Sequence, residues 1–473
     1  MWSLLTIFFL QFADKAGSDV VCLSRTAIEM REKHGIAIDS LDYAVSPLYL
    51  DSISHLGAEV LHTSRWFNGA TVEANEQTIQ SIKQCTFVDT IYLTRTDEES
   101  PVIPPLSLRK REVIIGERQE AKGEGLKQLV QLNLLPLHQA GYKGQGIRVG
   151  IADGGFYNAD SLESLPHDQW LGYTDLTDDK EDIFGQTGNH GSLCLTAIVA
   201  HKEISDGTLA GTFTYSGTAT EASYYLFKTE EHATESPKEI DNWVAAIEMA
   251  DSLGLHIVST SLGYTTFDDE QFNFAYADID GQTSRGAQAA LIAARKGMLL
   301  VTAMGNEGNK PWRYLSTPAD ADSILSVGAV NKDGIIAMFS SYGPTADGRT
   351  KPEVCAMGEG TCLINPANNE LIASNGTSFA CPLIAGMAAC LWSALPEASN
   401  MEIREMIIRS CDRYDQPLEQ YGYGIPNAWE AYTMATTDLP NTIHQTPYTK
   451  IIHNGQLYIL HEGKRYNILG CRL

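Results

Sequence analysis

Short, continuous runs of apolar residues alternate with longer, helix-like stretches between residues 126 and 436. The strand-like runs cover residues 147–152, 222–228, 257–261, 298–303 and 324–330. The helical stretches cover residues 189–200, 238–253, 283–296 and 378–394. Apolar strands that alternate with helices are typical of a parallel sheet that is covered on both faces. The pattern therefore predicts an α/β fold for residues 126–436, with a parallel sheet flanked by helices.

The first 95 residues carry shorter elements in a different order. The strand-like segments are 6–13, 60–62, 69–73 and 87–93, and the helical segments are 25–34, 47–56 and 75–84. Strands and helices that alternate over such a short length are typical of a compact α+β unit. We expect residues 1–95 to form a small ferredoxin-like domain.

Residues 2–13 are apolar and have two interpretations. They resemble a signal-peptide core, but they lack the basic residues that normally precede one. Residues 6–13 also have the pattern of a strand that leads into the turn Asp14-Lys15-Ala16-Gly17. We favour the strand, in which case the true start lies upstream of Met1 or export does not use this segment.

Two further segments differ from these domains in composition. Residues 96–125 are polar and charged, contain Pro104-Pro105 and have few apolar anchors, which predicts an exposed linker. Residues 437–473 end in an alternating pattern over 448–473 that predicts a weakly attached β-hairpin tail.

The charge of the chain excludes some classes of partner. The 473 residues carry a formal charge of −25, and the sequence pI is about 4.8. Nucleic acids and anionic membrane surfaces require a basic surface, so we expect neither as a partner. We find no run of 18 apolar residues and expect no transmembrane helix.

The cysteines do not identify a compartment. There are nine of them, an odd number, with no CxxC pair and no zinc-site spacing. Cys194, Cys381 and Cys390 lie in apolar stretches and are expected to be free and buried. Cys355 and Cys362 are close enough in sequence to pair, although free thiols are the favoured interpretation.

The most informative segment is Ser374-Asn375-Gly376-Thr377-Ser378, which precedes an apolar, alanine-rich run. Ser378 follows a small-residue turn and opens a predicted helix, where unpaired N–H groups and partial positive charge favour a developing oxyanion. Serine is also a common helix cap, and taken alone the cap would be the better interpretation.

Other polar residues lie at the ends of predicted elements, where sites gather in an open parallel sheet. Asp153 ends a strand, His190 starts an apolar helix, and Asn306 follows a strand between glycines. Each residue alone is equally consistent with a turn or helix-start role. Their joint occurrence with Ser378 is much more specific and predicts one hydrolytic centre.

These segments resemble the hallmark blocks of a known family. Residues 149–155, 189–200, 259–263, 303–308 and 375–382 are similar to those of subtilisin-like serine proteases, the subtilases or peptidase family S8. The order Asp, His, Ser is also that of subtilisin. The block Ser64-Arg65-Trp66-Phe67-Asn68 is similar to the N-terminal region of exported members from Bacteroidetes-type bacteria.

The resemblance implies a role for each site residue. Asp153, His190 and Ser378 would form a catalytic triad, and Asn306 would donate to the oxyanion. Substrate would be bound by Ser259, Thr260, Ser261, Leu262, Gly263, Met304 and Gly305. Residues 259–263 are equally consistent with a buried strand and its turn. Where the family usually has a small residue this chain has Met304, which we expect to reshape the pocket for the substrate side chain.

The resemblance also implies partners and a location. We expect polypeptide substrates, a monomer, and secretion or a cell-envelope or periplasmic location. Residues 1–95 would act as a propeptide that inhibits the enzyme until the chain is cleaved within 96–125. A permanent accessory domain is the alternative, and the tail is interpreted either as a sorting module or as a structural hairpin.

No cofactor is required by this interpretation, and we predict no metal ligand. Subtilases often bind calcium, and 268–270 and 278–281 offer carboxylates, but no complete ligand loop is visible. The alternative functions are a non-catalytic binding protein with this fold and an α/β-hydrolase esterase. The esterase is disfavoured because Ser378 lacks the Gly-X-Ser-X-Gly context and comes last in the triad order.

Overall fold

The computed structural model describes residues 6–15, 18–96, 117–118, 124–178, 182–185, 188–205, 212–437, 449–453, 456–461 and 464–466. The predicted linker at 96–125 lies mostly outside the described residues.

The N-terminal domain, residues 6–96, is a four-stranded antiparallel sheet with three helices. Its elements are β1 (Thr6–Phe12), α1 (Arg25–Lys33), α2 (Pro47–His55), β2 (Glu59–Ser64), β3 (Gly69–Ala74), α3 (Glu76–Ile82) and β4 (Val88–Arg95). The strand order β2-β3-β1-β4 is the predicted ferredoxin-like arrangement. Residues 6–12 are a central strand, as expected from their pattern, because Leu10 and Phe12 fill the core with Ile53 and Val72.

Local sequence signals start two of these helices. The Ser24 side chain accepts a hydrogen bond from the Ala27 N–H and caps α1, and Asn75 caps α3 in the same way through Thr78. Each cap satisfies an N–H that the first helical turn leaves unpaired.

The α/β body, residues 124–431, contains a seven-stranded sheet in the order β14-β13-β12-β11-β6-β10-β7. Every neighbouring pair is parallel, which confirms the predicted fold class. The strands are β6 (Arg148–Asp153), β7 (Trp170–Asp175), β10 (Ser223–Lys228), β11 (Ile257–Thr260), β12 (Leu299–Ala303), β13 (Leu325–Val330) and β14 (Val354–Met357).

The two outermost strands were missed by the sequence pattern. β7 alternates between half-buried and exposed positions because it lies at one edge of the sheet. β14 is a buried run of four apolar residues, Val354–Met357, that stands alone between Glu353 and Gly358.

Helices flank this sheet. The predicted helices are α6 (His190–Val199), α7 (Lys238–Leu253), α8 (Arg285–Arg295) and α9 (Thr377–Ala394). α7 packs against α8, and α9 packs against α6 and the strands β11–β14. α9 is long and apolar enough to cross a membrane, but 89% of it is buried inside the protein, and this burial explains its apolar composition.

Several shorter elements were not predicted. The helices are α4 (Glu124–Gln131), α5 (Leu135–Gln139), α10 (Asn400–Arg409) and α11 (Ala428–Thr437). The strands are β5 (Glu117–Arg118), β8 (His201–Ser205), β9 (Thr212–Ser216), β15 (Thr361–Asn365) and β16 (Glu370–Ser374). β16 pairs with β15 and with β5, so residues 117–118 form part of a sheet in the α/β body.

Residues 432–473 form a separate unit. Its strands β17 (Thr449–His453), β18 (Gln456–His461) and β19 (Lys464–Tyr466) make a three-stranded antiparallel sheet. The tail therefore has one strand more than the predicted β-hairpin.

None of the cysteines within the described residues forms a disulfide. The suggested pairing of Cys355 with Cys362 is therefore wrong; the two residues lie on separate strands, β14 and β15, and both are buried.

A buried ionic network joins the N-terminal domain to α7. Arg31 donates from Nη2 to both carboxylate oxygens of Asp251, at 2.8 and 2.7 Å, and Arg65 Nη2 donates to Asp251 Oδ2 at 2.6 Å. Glu248 accepts hydrogen bonds from the Ser64 hydroxyl and the Arg65 amide. Arg31 and Asp251 are each only 1% exposed.

Candidate active site

The topology of the sheet places three site segments side by side. β12, β11 and β6 are neighbours and run parallel. Their carboxyl ends therefore share one edge, which carries Asp153, Ser261 and the loop that contains Asn306. His190 is the first residue of α6, and Ser378 is the second residue of α9.

Asp153 and His190 form a direct hydrogen bond. The distances from His190 Nδ1 to the two carboxylate oxygens are 2.8 and 3.0 Å. Because an ionised carboxylate can only accept, Nδ1 carries the proton and Nε2 is left as the basic nitrogen. The Asp153 side chain is 3% exposed, and it also accepts a hydrogen bond from the Gly154 N–H, whereas the His190 side chain is 30% exposed.

The environment of this pair shifts the pKa of His190. Burial of the imidazole favours its neutral form, but the charge of Asp153 and its hydrogen bond stabilise the imidazolium more strongly. The pKa of His190 therefore lies well above its ordinary value of 6.5.

Ser378 lines the same cavity as Asp153 and His190. The cavity has a volume of about 380 Å³. The turn before Ser378 requires glycine, because Gly376 has a φ of 155°. The carbonyl of Ser378 accepts hydrogen bonds from the Ser261 hydroxyl at 2.8 Å and from the Cys194 thiol at 3.3 Å, which fixes the start of the helix.

Asn306 is attached to the start of the same helix. Its Oδ1 accepts hydrogen bonds from the Thr377 N–H at 2.9 Å and the Thr377 hydroxyl at 3.1 Å. The side-chain oxygen therefore accepts hydrogen bonds from Thr377. The Nδ2 group of the same amide can donate a hydrogen bond to a group in the cavity that Asn306 lines.

The predicted substrate-binding residues divide into two groups. Ser261, Leu262, Gly263 and Gly305 line the cavity. Ser259 and Thr260 lie in the buried strand β11 and are not among the lining residues.

Met304 also differs from its prediction. It is fully buried and packs with Ile279, Leu315 and Ala319, and its neighbours Ala303 and Gly305 line the cavity instead. Its side chain therefore supports the wall from behind rather than reshaping the pocket directly.

Some residues at this site were missed in the sequence. The Cys194 thiol lies 3.8 Å from His190 Nδ1, and the spacing of four residues on one helix would have indicated this contact. Burial raises the pKa of Cys194, so the thiol stays protonated. Glu230 and Glu235 also line the cavity. Glu230 follows the end of β10 by two residues, so the rule that selected Asp153 would have found it, whereas Glu235 lies further along the loop.

Two groups of described residues bring three possible metal-ligand atoms within 4.8 Å of one another. They are Asp153, His190 and Cys194, and Glu230, Glu235 and Glu239. In the first group, the hydrogen bond to Asp153 already occupies His190 Nδ1. The acidic loops suggested for calcium use their carboxylates locally: Asp269, Asp278 and Asp280 accept hydrogen bonds from nearby backbone N–H groups.

Comparisons with known families match both parts of the chain. A model described as the subtilase family, Peptidase_S8, matches residues 144–424. A second model, the peptidase S8 propeptide domain of Bacteroidota, matches residues 8–103.

Individual relatives are more distant. The chain is 24% identical to serine protease AprX of Bacillus subtilis, over 60% of this chain and 66% of that protein. It is 26% identical to the thermostable alkaline protease of Halalkalibacterium halodurans, over 76% and 90%, and 26% identical to subtilisin NAT of Bacillus subtilis subsp. natto, over 80% and 85%. A solved mutant of the protease domain of PatA is 23% identical with a TM-score of 0.46, covering 63% of this chain and 98% of its own.

The family match covers more than half of the chain and contains Asp153, His190, Asn306 and Ser378. It is preceded by a match to the propeptide domain that accompanies this family in Bacteroidota. On this evidence the chain belongs to the subtilase family of serine proteases.

Proposed function

We propose that this protein is a serine endopeptidase that hydrolyses peptide bonds through an Asp153–His190–Ser378 triad and an acyl-enzyme. The main support is the Asp153–His190 hydrogen bond within a cavity that Ser378 also lines. The proposed mechanism uses side-chain and backbone groups of the chain and one water molecule.

In the first half of the reaction, Ser378 Oγ attacks the scissile carbonyl while His190 Nε2 takes the hydroxyl proton. The tetrahedral intermediate collapses when His190 returns that proton to the leaving amine. The C–N bond breaks and an ester to Ser378 is left. Water, activated by His190 in the same way, then hydrolyses the ester. Asp153 holds the imidazole in one tautomer and stabilises its charged form without taking the proton.

The oxyanion is held by two donors in this scheme. The Ser378 amide belongs to the first turn of α9, where N–H groups lack helical partners. Nδ2 of Asn306 is the second donor. Such donors act on charge that develops only during the reaction, so they stabilise the transition state more than the bound substrate.

We further propose that the protein is an exported zymogen. The match of residues 8–103 to a propeptide model and the buried contacts of the N-terminal domain with α7 support intramolecular inhibition. Cleavage between the N-terminal domain and the α/β body would then release the active enzyme.

The alternative is a non-catalytic protein with the same fold. Labelling with a fluorophosphonate, which reacts only with an activated serine, distinguishes the two. We expect the wild type to be labelled on Ser378 and the Ser378→Ala variant to fold normally without label. Turnover should fall about a millionfold in this variant, which is the scale known for removal of the triad serine in subtilisin.

Ser393→Ala is the matched control for this experiment. Ser393 lies on the same helix, is not among the residues that line the cavity, and donates to the Cys390 carbonyl, so its loss should leave labelling unchanged. A folded wild-type protein that is not labelled at Ser378 after removal of the N-terminal domain would contradict the proposed activity.

A further inference from the structure

We propose that Ser316 is a specificity-determining residue. Its hydroxyl binds the end of an uncharged polar side chain, that of a glutamine or an asparagine, in the substrate residue that supplies the carbonyl of the cleaved bond. The inference rests on the proposed peptidase activity and specifies one part of its substrate class.

Most of the hydroxyl groups around the cavity already have a role. The described residues that line it and carry a hydroxyl are Ser261, Thr265, Ser316, Thr377 and Ser378. The Ser261 hydroxyl donates to the Ser378 carbonyl. The Thr377 hydroxyl donates to Asn306 Oδ1, and Ser378 itself is the proposed nucleophile. The remaining two hydroxyls have no hydrogen-bond partner within the part of the chain that the structure describes.

Ser316 is the more buried of these two residues, and its backbone is held by two walls of the cavity. It is only 6% exposed. Its N–H donates to the Met304 carbonyl at 3.2 Å, and the next residue, Thr317, exchanges backbone hydrogen bonds of 2.8 and 3.2 Å with Tyr264. These bonds fix Ser316 against residues 303–305 on one side and against residues 261–264 on the other.

Two glycines show where the Ser316 hydroxyl lies. A Cβ atom at Gly263 would lie 2.1 Å from Ser316 Oγ, and a Cβ atom at Gly305 would lie 3.4 Å from it. The hydroxyl therefore lies in the gap between two segments that both line the cavity, and it can be reached from there. Because a polar group in such a place is normally paired, an unpaired one indicates a site for a ligand group.

The proposed mechanism directs a substrate side chain into this gap. Asn306 holds the carbonyl oxygen of the cleaved bond, and it directly follows Gly305. The substrate chain lies along residues 261–263 on the other side, as the sequence analysis predicts. The side chain of the residue that supplies the carbonyl therefore enters between Gly263 and Gly305 and meets Ser316.

The chemistry of the gap favours a carboxamide. A hydroxyl can both donate and accept, and a carboxamide offers one group of each kind. A charged side chain would need an opposite charge in this buried place, and the carboxylate of Glu307 is already paired with Lys310 Nζ at 2.7 Å. An apolar side chain would leave the Ser316 hydroxyl without a partner.

The first test compares kcat/KM on peptides that differ only in the residue that supplies the cleaved carbonyl. Gln is compared with Met and Asn with Leu, since the members of each pair are similar in size. We expect the wild type to favour the amide in at least one pair. Ser316→Ala should lower that ratio about three- to tenfold, as expected for one hydrogen bond between uncharged groups. Ser393→Ala, on α9 and outside the cavity, is the matched control and should leave the ratio unchanged.

A wild type that favours neither amide would overturn the proposal. So would a preference that Ser316→Ala leaves intact, or one that only Thr265→Val abolishes, because the amide would then bind the other unpartnered hydroxyl of the cavity. Fluorophosphonate labelling of Ser378 in each preparation keeps these outcomes separate from failure of the peptidase activity and from misfolding of a variant.

The second test needs no change at Ser316. It is a crystal structure of the Ser378→Ala enzyme, processed in trans by the wild type, with the Gln or Asn peptide that is cleaved faster. We expect Ser316 Oγ to lie about 2.7–3.2 Å from the side-chain amide of the peptide. An amide that points out of the gap, or a water molecule that stays on Ser316 Oγ while the side chain binds elsewhere, would overturn the assignment.

Discussion

In the proposed mechanism, individual side chains at this site use one atom for structure and another for chemistry. Asn306 binds the start of α9 through Oδ1 and has Nδ2 left as a donor. His190 binds Asp153 through Nδ1 and has Nε2 left as a base. Substitutions that preserve one atom and change the other therefore separate positioning from catalysis.

Asn306→Asp is such a substitution. An aspartate keeps an oxygen that accepts from Thr377, but it replaces the Nδ2 donor with a second acceptor that faces the oxyanion. We expect kcat to fall about 100- to 1,000-fold, the scale known from the equivalent donor in subtilisin. The measurement is kcat on a peptide substrate, with thermal unfolding as the check on folding.

Thr377→Val is the companion variant for this prediction. It removes the hydroxyl that donates to Asn306 Oδ1 and leaves Nδ2 in place, so a smaller loss of kcat is expected. An Asn306→Asp enzyme with wild-type kcat would exclude Asn306 as the oxyanion donor.

The protonation of His190 predicts the pH dependence of activity. Only the neutral imidazole can accept the Ser378 proton, so activity is low below the pKa of His190 and rises above it. Because Asp153 raises this pKa well above 6.5, the rate of fluorophosphonate labelling should increase through a midpoint above pH 6.5. Asp153→Asn should lower the rate and move the midpoint down, and a midpoint below 6.5 in the wild type would contradict this account.

At the scale of secondary-structure elements, the site depends on how closely the start of α6 approaches the end of β6. Gly191 makes this approach possible. A Cβ atom at this position would lie 2.6 Å from the Gly155 carbonyl oxygen and 2.9 Å from Asp153 Cβ. Such contacts with backbone cannot be relieved by rotating a side chain, so any larger residue must move α6 away from β6.

Gly191→Ala therefore tests the packing of these elements. We expect it to destabilise the protein by about 1–3 kcal/mol, as overpacking does, and to lower kcat because His190 moves with its helix. Urea unfolding of an inactive Ser378→Ala background gives the first quantity, and peptide hydrolysis gives the second.

Gly286→Ala provides the comparison for Gly191→Ala. Gly286 also lies in the first turn of a helix, but the nearest atom to its Cβ would be the Ser284 hydroxyl at 3.3 Å. We expect a much smaller change in stability and no change in kcat. Equal losses of stability and kcat in the two variants would show that a methyl group in the first turn of a helix causes the loss, and not the contact with the end of β6.

At the scale of the whole molecule, the N-terminal domain is held by charges that lie out of contact with water. Asp251 on α7 binds Arg31 and Arg65 together. Burial raises the pKa of Glu248, and the nearby Arg65 opposes this shift. Without Asp251, Arg31 would keep its ion pair with Asp42 and Arg65 its ion pair with Glu248, but both guanidinium groups would lose part of their opposite charge while they stay buried.

Asp251→Asn should consequently destabilise the uncleaved chain, by at most the roughly 3–5 kcal/mol that an uncompensated buried charge costs. The Ser378→Ala background keeps the chain intact during urea unfolding. Arg25→Gln is the control, because the Arg25–Glu29 pair is exposed, with 93% and 58% of the two side chains accessible, and such pairs contribute little. If Asp251→Asn leaves the free energy of unfolding unchanged, the apolar contacts of the N-terminal domain, and not its ionic network, hold it in place.

The sequence by itself determined the elements that have strong periodicity. Five buried strands, four helices and the ferredoxin-like order of the N-terminal domain follow from apolar patterns and caps, because these patterns depend on residues that are near one another in the chain. The residues Asp153, His190, Asn306 and Ser378 were found for the same reason, since each lies at the boundary of a recognisable element.

Only the tertiary structure decided which of these residues share a cavity and which do not. Whether Met304 faces the pocket or the core depends on Ile279, Leu315 and Ala319, each of which lies at least 11 residues from Met304 in the sequence. The edge strand β7, the pairing of residues 117–118 with β16, and the link from Arg31 to Asp251 are likewise contacts between distant segments. Local pattern carries no information about such contacts, because packing between remote parts of the chain determines them.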